Sequence, residues 1–165
     1  MKRPVIISTY SIVMSCIGIV ILGGLSIYEY THGYIFRSAY IGAALLIMCL
    51  FTIIYMPLSV SVDNQYLSVR RPLRPKKIPL IQIESINPCP PTMAERRICG
   101  SGGWFGYWGW FSQRDIGKYF AYYGKASDCF LVTLKNGKKY MLGCKDPKDI
   151  LDFISNKISS STTHN

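Results

Sequence analysis

The sequence predicts a membrane protein in two parts: an N-terminal two-helix transmembrane hairpin, then a mainly-β barrel capped by a C-terminal α-helix. Three observations carry this. Two long apolar runs without charge stand near the N-terminus, the chain beyond Met56 alternates apolar and polar residues with period two, and a helical period follows Asp146. The expected units are the hairpin over 1–56, the β domain with its helix over 57–158, and a disordered tail over 159–165.

The first apolar run is Val5–Tyr28, "VIISTYSIVMSCIGIVILGGLSIY", and the second is Ala39–Met56, "AYIGAALLIMCLFTIIYM". At ~1.5 Å rise per residue, each crosses or nearly crosses a hydrocarbon layer of ~30 Å. Met1-Lys2-Arg3 would also suit the start of a secretory signal, and "VMSC" loosely fits a lipoprotein cleavage site. Against both, the apolar run continues well past Cys16 and a second run follows at once. Small residues in both spans (Ser11, Ser15, Gly18; Ala39, Gly42, Ala43) would let the helices pack closely. Neither span holds an ionisable charge, so the hairpin reads as an anchor and not as an ion path.

Lys and Arg set the orientation. Lys2 and Arg3 precede the first span, and Arg70, Arg71, Arg74, Lys76 and Lys77 follow the second, while the link holds Arg37 beside Glu29. Both termini are therefore expected on the cytoplasmic side of the inner membrane. Tyr28, Tyr30, Tyr34, Phe36 and Tyr40 cluster at the link, as aromatic anchors do at the far interface.

Beyond Met56 there are 16 basic and 8 acidic residues, a balance of +8. Such charge fits nucleic acid or an anionic bilayer surface, and for a tethered domain the bilayer is the nearer polyanion. The six cysteines form no C-x-x-C pair, and the two histidines, His32 and His164, lie in the link and the tail. No zinc-site spacing exists, and no cofactor is expected. In a reducing compartment free thiols are the default.

In the second unit, Leu58–Val62 and Tyr66–Arg70 alternate around Asp63-Asn64-Gln65, a hairpin pattern. A proline-punctuated basic loop leads to an edge strand near Lys77–Leu80, and Ile83–Ile86 reads as another strand. "DCFLVTL" and "KYMLGC" flank Asn136-Gly137, which predicts a tight hairpin turn. Asp146-Pro147 then predicts a helix start with Asp146 as the cap, and Ile150, Leu151, Phe153, Ile154 and Ile158 share one helical face.

The succession "PLSVSVDNQYLSVRRPL", "KKIPLIQIESI", "CGSGGWFGYWGWFSQRDIGKYFAYYGK" and "CFLVTLKNGKKYMLGCKDP" resembles the bacterial pleckstrin-homology-like (PH-like) domain family over about Pro57–Ile154. The resemblance implies a PH-like barrel with membrane attachment and brings no catalytic residues with it. One departure is clear: the loop between the first two strands, where eukaryotic lipid-binding PH domains carry basic residues, is here Asp63-Asn64-Gln65.

"CGSGGWFGYWGWF" (Cys99–Phe111) mixes glycines with three tryptophans, but it does not stand before a helix in a phosphate-loop frame. In a strand, Trp108 and Trp110 share one face, and Tyr107, Gly109 and Phe111 share the other. Two outcomes stay open: the rings are core, or Trp104, Trp108, Trp110, Tyr119 and Tyr122 form an interaction surface. Arg70, Arg71, Arg74, Lys76 and Lys77 are candidate contacts for anionic lipid headgroups. With no histidine in the body of the domain and no paired carboxylates, an enzyme is not expected. The expected function is a non-enzymatic module for protein or membrane-surface contacts, without a nucleic-acid role. The alternative is an architectural subunit whose hairpin makes the important contacts.

Overall fold

The computed structural model describes residues 1–92 and 95–162. Two helices, α1 (Thr9–Thr31) and α2 (Ile35–Tyr55), form the expected hairpin, each long and apolar enough to cross a membrane, with mean hydropathy 2.1. Few of their residues are buried, so their apolar side chains point outward; Phe36 is 81% exposed. The link is shorter than the sequence implies, because α1 runs through Glu29–Thr31 before Gly33 ends it in a left-handed turn. Tyr34 N–H bonds to Glu29 O and Gly33 N–H to Tyr30 O, the paired bonds of a Schellman cap.

The start of the first apolar run is not helical. Lys2–Pro4 forms strand β1, and Val5–Ser8 is extended until the Ser8 side chain accepts from Ser11 N–H and caps α1. β1 pairs antiparallel with β2 (Ser59–Val62), which begins just beyond α2. The entry and exit of the hairpin are thus joined at neighbouring strands, with Val5 N–H bonded to Leu58 O.

β2 continues into β3 (Tyr66–Arg70) and β4 (Lys76–Pro79), giving an antiparallel sheet of order β1-β2-β3-β4. A single 3-10 turn, Leu80–Gln82, carries the chain into the second sheet. That sheet contains β5 (Ile83–Pro88), β6 (Arg96–Gly103), β7 (Gly106–Gln113), β8 (Gly117–Tyr123), β9 (Cys129–Leu134) and β10 (Lys139–Gly143). Its order is β5-β9-β10-β8-β7-β6, with β10 antiparallel to β9 and parallel to β8. The Asp63–Gln65 and Asn136-Gly137 turns join their strands as the sequence predicts.

The two sheets do not close into a barrel, which corrects the sequence expectation. Among the described residues no ladder joins β4 to β5 or β1 to the second sheet. Each edge strand of the first sheet ends in proline, Pro4 and Pro79, which lacks the donor that a further ladder would need. Isolated backbone bonds bridge the gap instead, Lys145 N–H to Pro4 O on one side and Lys135 N–H to Gln82 O on the other.

Val60, Leu67, Val69 and Ile78 of the first sheet face Phe130, Val132 and Leu142 of the second, and Ile150 and Ile154 of α3 (Lys148–Thr162) close the cluster. Full burial of such side chains stabilises by about 1.5–3 kcal/mol each. The helix starts differently from expectation: Asp146 is in the left-handed region (φ 50°), and Pro147 O accepts from Ile150 and Leu151 N–H. Asp146 is therefore not the cap. Asp149, in the first turn, pairs with Arg3 and ties β1 to α3. The helix runs to Thr162, past the expected end at 158, and the remainder of the expected tail, 163–165, lies outside the described residues.

Candidate functional site at the helix–sheet junction

Strand register decides which residues lie near the hairpin. β2 starts at the end of α2, and Ser59 pairs with Arg70, so the carboxyl end of β3 lies beside the helices. Lys76 pairs with Val69, which returns β4 to the same end. The loop 71–75 and its basic residues thus share an edge of the domain with the helix ends. Leu73, at that loop, is 67% exposed.

The five basic candidates separate. Arg70, Arg74 and Lys77 are exposed, and Lys77 lies over the Tyr66 ring. Lys76 lies over Tyr140. Arg71 is a strut: Nε donates to Arg74 O at 2.8 Å, Nη1 donates to Tyr122 Oη at 3.2 Å, and the guanidinium covers both Tyr55 and Tyr122. It locks the end of α2 to the second sheet.

The glycine–aromatic segment forms the β6–β7 hairpin. Gly100 and Gly109 oppose each other with φ of 123° and 124°, and a Cβ on Gly109 would lie 2.3 Å from Cys99 O. Only glycine permits this backbone approach. A register shift between Arg97 and Cys99 precedes this pair, and the Arg97 side chain lies along the strand, one of its nitrogens 3.3 Å from where a Cβ on Gly102 would be.

The tip of that hairpin docks on α1. Ser15 Oγ accepts from Phe105 N–H at 2.9 Å, and Trp104 fills the notch left by Gly18, where a Cβ would be 2.7 Å from its ring. Ser11, Ser15 and Gly18 were expected to face the second helix. Ser15 and Gly18 instead meet the sheet, while Gly42 does lie at the helix–helix contact, near Ser26. Gly124 is similarly placed against the Ile6 backbone, with Ser8 N–H bonded to Gly124 O.

Between α2 and β6–β7 lies an open apolar cleft of about 500 Å³, lined by Met48, Phe51, Tyr55, Trp104, Trp110 and Gly102 among others. Trp110 is the one exposed member of the five expected surface rings, at 47%, and packs edge-on to Phe120. Trp104 is half-buried. Trp108 is buried, stacks on Tyr55 at 5.5 Å between ring centroids, and donates Nε1–H to Trp104 O. Tyr122 is buried beneath Arg71, and Tyr119 is buried on the opposite face of the sheet. These three rings are therefore core, while Trp104 and Trp110 border the cleft.

On that opposite face, Phe111, Tyr119, Ala121, Tyr123, Cys129 and Met141 form a second cluster. Glu95 covers it, accepting from Tyr119 Oη at 2.5 Å and Tyr123 Oη at 2.8 Å. Sequence reasoning missed Glu95, whose partners lie 24 and 28 residues away. The six cysteines are unpaired.

Burial raises both Cys129 and Cys144 above the usual 9.0, Cys144 to about 11. Burial likewise raises Tyr122 to about 12 despite Arg71, and pushes Tyr119 and Tyr123 well above 10.0, with Glu95 adding to both. Raised folded-state values favour folding in the protonated form, so this stability is whole below about pH 9 and erodes as pH rises through the folded values. Each group contributes a slope of about 1.4 kcal/mol per pH unit in its window. The thermal midpoint of the purified chain is expected to fall steeply above about pH 9, and a flat profile to about pH 11 would refute this burial picture.

Two facing sheets with a C-terminal helix, joined to an apolar hairpin, define a domain of the PH-like class. Residues 58–158 match the model of the bacterial PH domain family, and the chain belongs to that family. No curated protein and no solved structure matches the chain.

Proposed function

We propose that this protein is a non-enzymatic PH-like module held on the cytoplasmic face of the inner membrane by α1 and α2, making contacts with a protein partner or the bilayer surface. One observation supports it above others: β1–β2 pairing brings both open ends of an outward-facing apolar hairpin to one edge of the domain. In a bilayer this edge faces the headgroups. Arg70 and Arg74 flank the exposed Leu73 there, and each basic side chain near an anionic leaflet contributes on the order of 1 kcal/mol. PH-like domains generally bind rather than catalyse, in line with this reading.

The test is topological. Alkaline carbonate is expected to leave the protein in the membrane pellet. Protease is expected to spare the domain in sealed right-side-out cells and to digest it in inverted vesicles. Digestion from outside, or release by carbonate, overturns the reading. The architectural alternative draws on the Ser15 and Gly18 contacts, which make hairpin and sheet one body. Replacing α1–α2 with an unrelated two-span anchor, with loss of the complex, would favour it.

A further inference from the structure

We propose that the cleft between α2 and the β6–β7 hairpin binds one anionic phospholipid of the cytoplasmic leaflet, its acyl chain along Met48 and Phe51 and its headgroup at Arg97. This rests on the anchored reading above and goes beyond it by assigning a site and a ligand class.

Position selects the chemistry. Tyr55 is the domain end of α2, Phe51 lies about 6 Å further along the helix, and Met48 about 10 Å, at ~1.5 Å per residue. The cleft therefore climbs about 10 Å along a helix whose remaining surface is apolar and exposed. The β6–β7 tip climbs beside it, since Trp104 meets Gly18, nine residues or about 13 Å into α1. With the helices in a bilayer, the upper cleft opens into hydrocarbon and its natural occupant is a lipid tail.

Charge gives the cleft two unlike walls. Arg97 lines it on the β6 side, past a register shift at Arg97–Cys99, with its side chain laid along the strand over Gly102. Among the described residues no carboxylate, carbonyl or ring engages that guanidinium. A cation on the sheet wall and apolar side chains on the helix wall match the two chemistries of a phospholipid, a charged headgroup and a hydrocarbon tail. Guanidinium also suits the phosphodiester, because its planar donors fork onto oxygens, and it favours phosphatidylglycerol over phosphatidylcholine because the choline ammonium of the latter offsets the phosphate charge and repels a nearby cation. The cleft volume, about 500 Å³, sits within the range of roughly 300–1,000 Å³ typical of small-molecule sites. Exposed Trp110 borders the opening and supplies an interfacial ring.

The site is distinct from the loop between β2 and β3, which holds Asp63-Asn64-Gln65 and stands at the far end of that strand pair from the helices.

The experiment uses the full chain in lipid nanodiscs containing a trace of phosphatidylglycerol with a diazirine near the end of one acyl chain. Irradiation and peptide mapping locate the adducts. Adducts are expected to concentrate on the peptides holding Phe51 and Trp104–Trp110, above the level at the outward-facing Val20 and Ile21. Gly102→Leu, which fills the cleft, is expected to remove the excess. Arg97→Gln alters one exposed side chain and so preserves the fold; it is expected to cut the preference for phosphatidylglycerol over an equally tagged phosphatidylcholine by about tenfold, the scale of one charge-assisted contact. Adducts at Val20 and Ile21 but none in excess at the cleft sink this inference and leave the anchor standing. Equal labelling by the two headgroups, unchanged in Arg97→Gln, overturns the role of Arg97. Absence of adducts at all four places, with release by carbonate, brings down both readings.

Discussion

Gly109→Ala is expected to lower the unfolding free energy by about 3–5 kcal/mol, more than any other single methyl added in the β6–β7 hairpin save one at Gly100. Two costs coincide there. At φ 124° an L-residue is strained, and the new Cβ would stand 2.3 Å from Cys99 O and 2.7 Å from Gly100 Cα. Backbone on both sides cannot yield without parting the strands. Two neighbouring glycines separate the costs. Gly103 also has positive φ (132°) but open space around its Cβ position, so Gly103→Ala meets the conformational cost alone, about 1–2 kcal/mol. At Gly102 the obstacle is the flexible Arg97 side chain, and Gly102→Ala is expected to cost less still. Denaturant unfolding followed by tryptophan fluorescence orders the three. Equal losses for Gly109→Ala and Gly103→Ala would refute the cross-strand contact as the cause. Because Gly100 and Gly109 share one contact, their double substitution is expected to cost less than the sum.

The glycines thus answer to strand geometry, not to phosphate, and the contrast shows how far local pattern reaches. The apolar spans were legible because about twenty uncharged residues in a row is a property of composition. β1 was not: "KRP" has no strand pattern of its own and is extended because β2 offers a free edge 57 residues away in register. The period of two placed Trp108 and Trp110 on one face, yet their fates differ. Tyr55 at the end of α2 stacks on Trp108 and leaves Trp110 open, a choice made by the hairpin and not by the strand. Open sheets instead of a barrel follow from Pro4 and Pro79 at the edges, visible residues whose partners were not. The cleft combines α2 with strands some fifty residues further on, so no local window contains it.

Glu95 is the sharper case, and its removal is the second large expected effect. Glu95→Ala leaves the hydroxyls of Tyr119 and Tyr123, both buried, without their acceptor. An orphaned buried hydroxyl costs about 1–3 kcal/mol, so the variant is expected to lose about 2–5 kcal/mol. Glu95→Gln retains one acceptor oxygen and is expected to lose less. The decisive comparison adds Tyr119→Phe and Tyr123→Phe to Glu95→Ala: with no hydroxyl left to satisfy, much of the loss should return, since removing both partners of a buried bond is far cheaper than removing one. A triple variant as unstable as Glu95→Ala would assign the loss to detachment of Glu95 and Cys89 from the second cluster, and exchange of the Cys89 and Thr92 amides, bonded to Cys129 O and Gln113 Oε1, would then rise in both. The cleft lies on the opposite face of the second sheet from Glu95. Lipid labelling at Phe51 should therefore persist in Glu95→Ala under conditions where the protein remains folded, which separates the stabilising face of the sheet from its membrane-directed one.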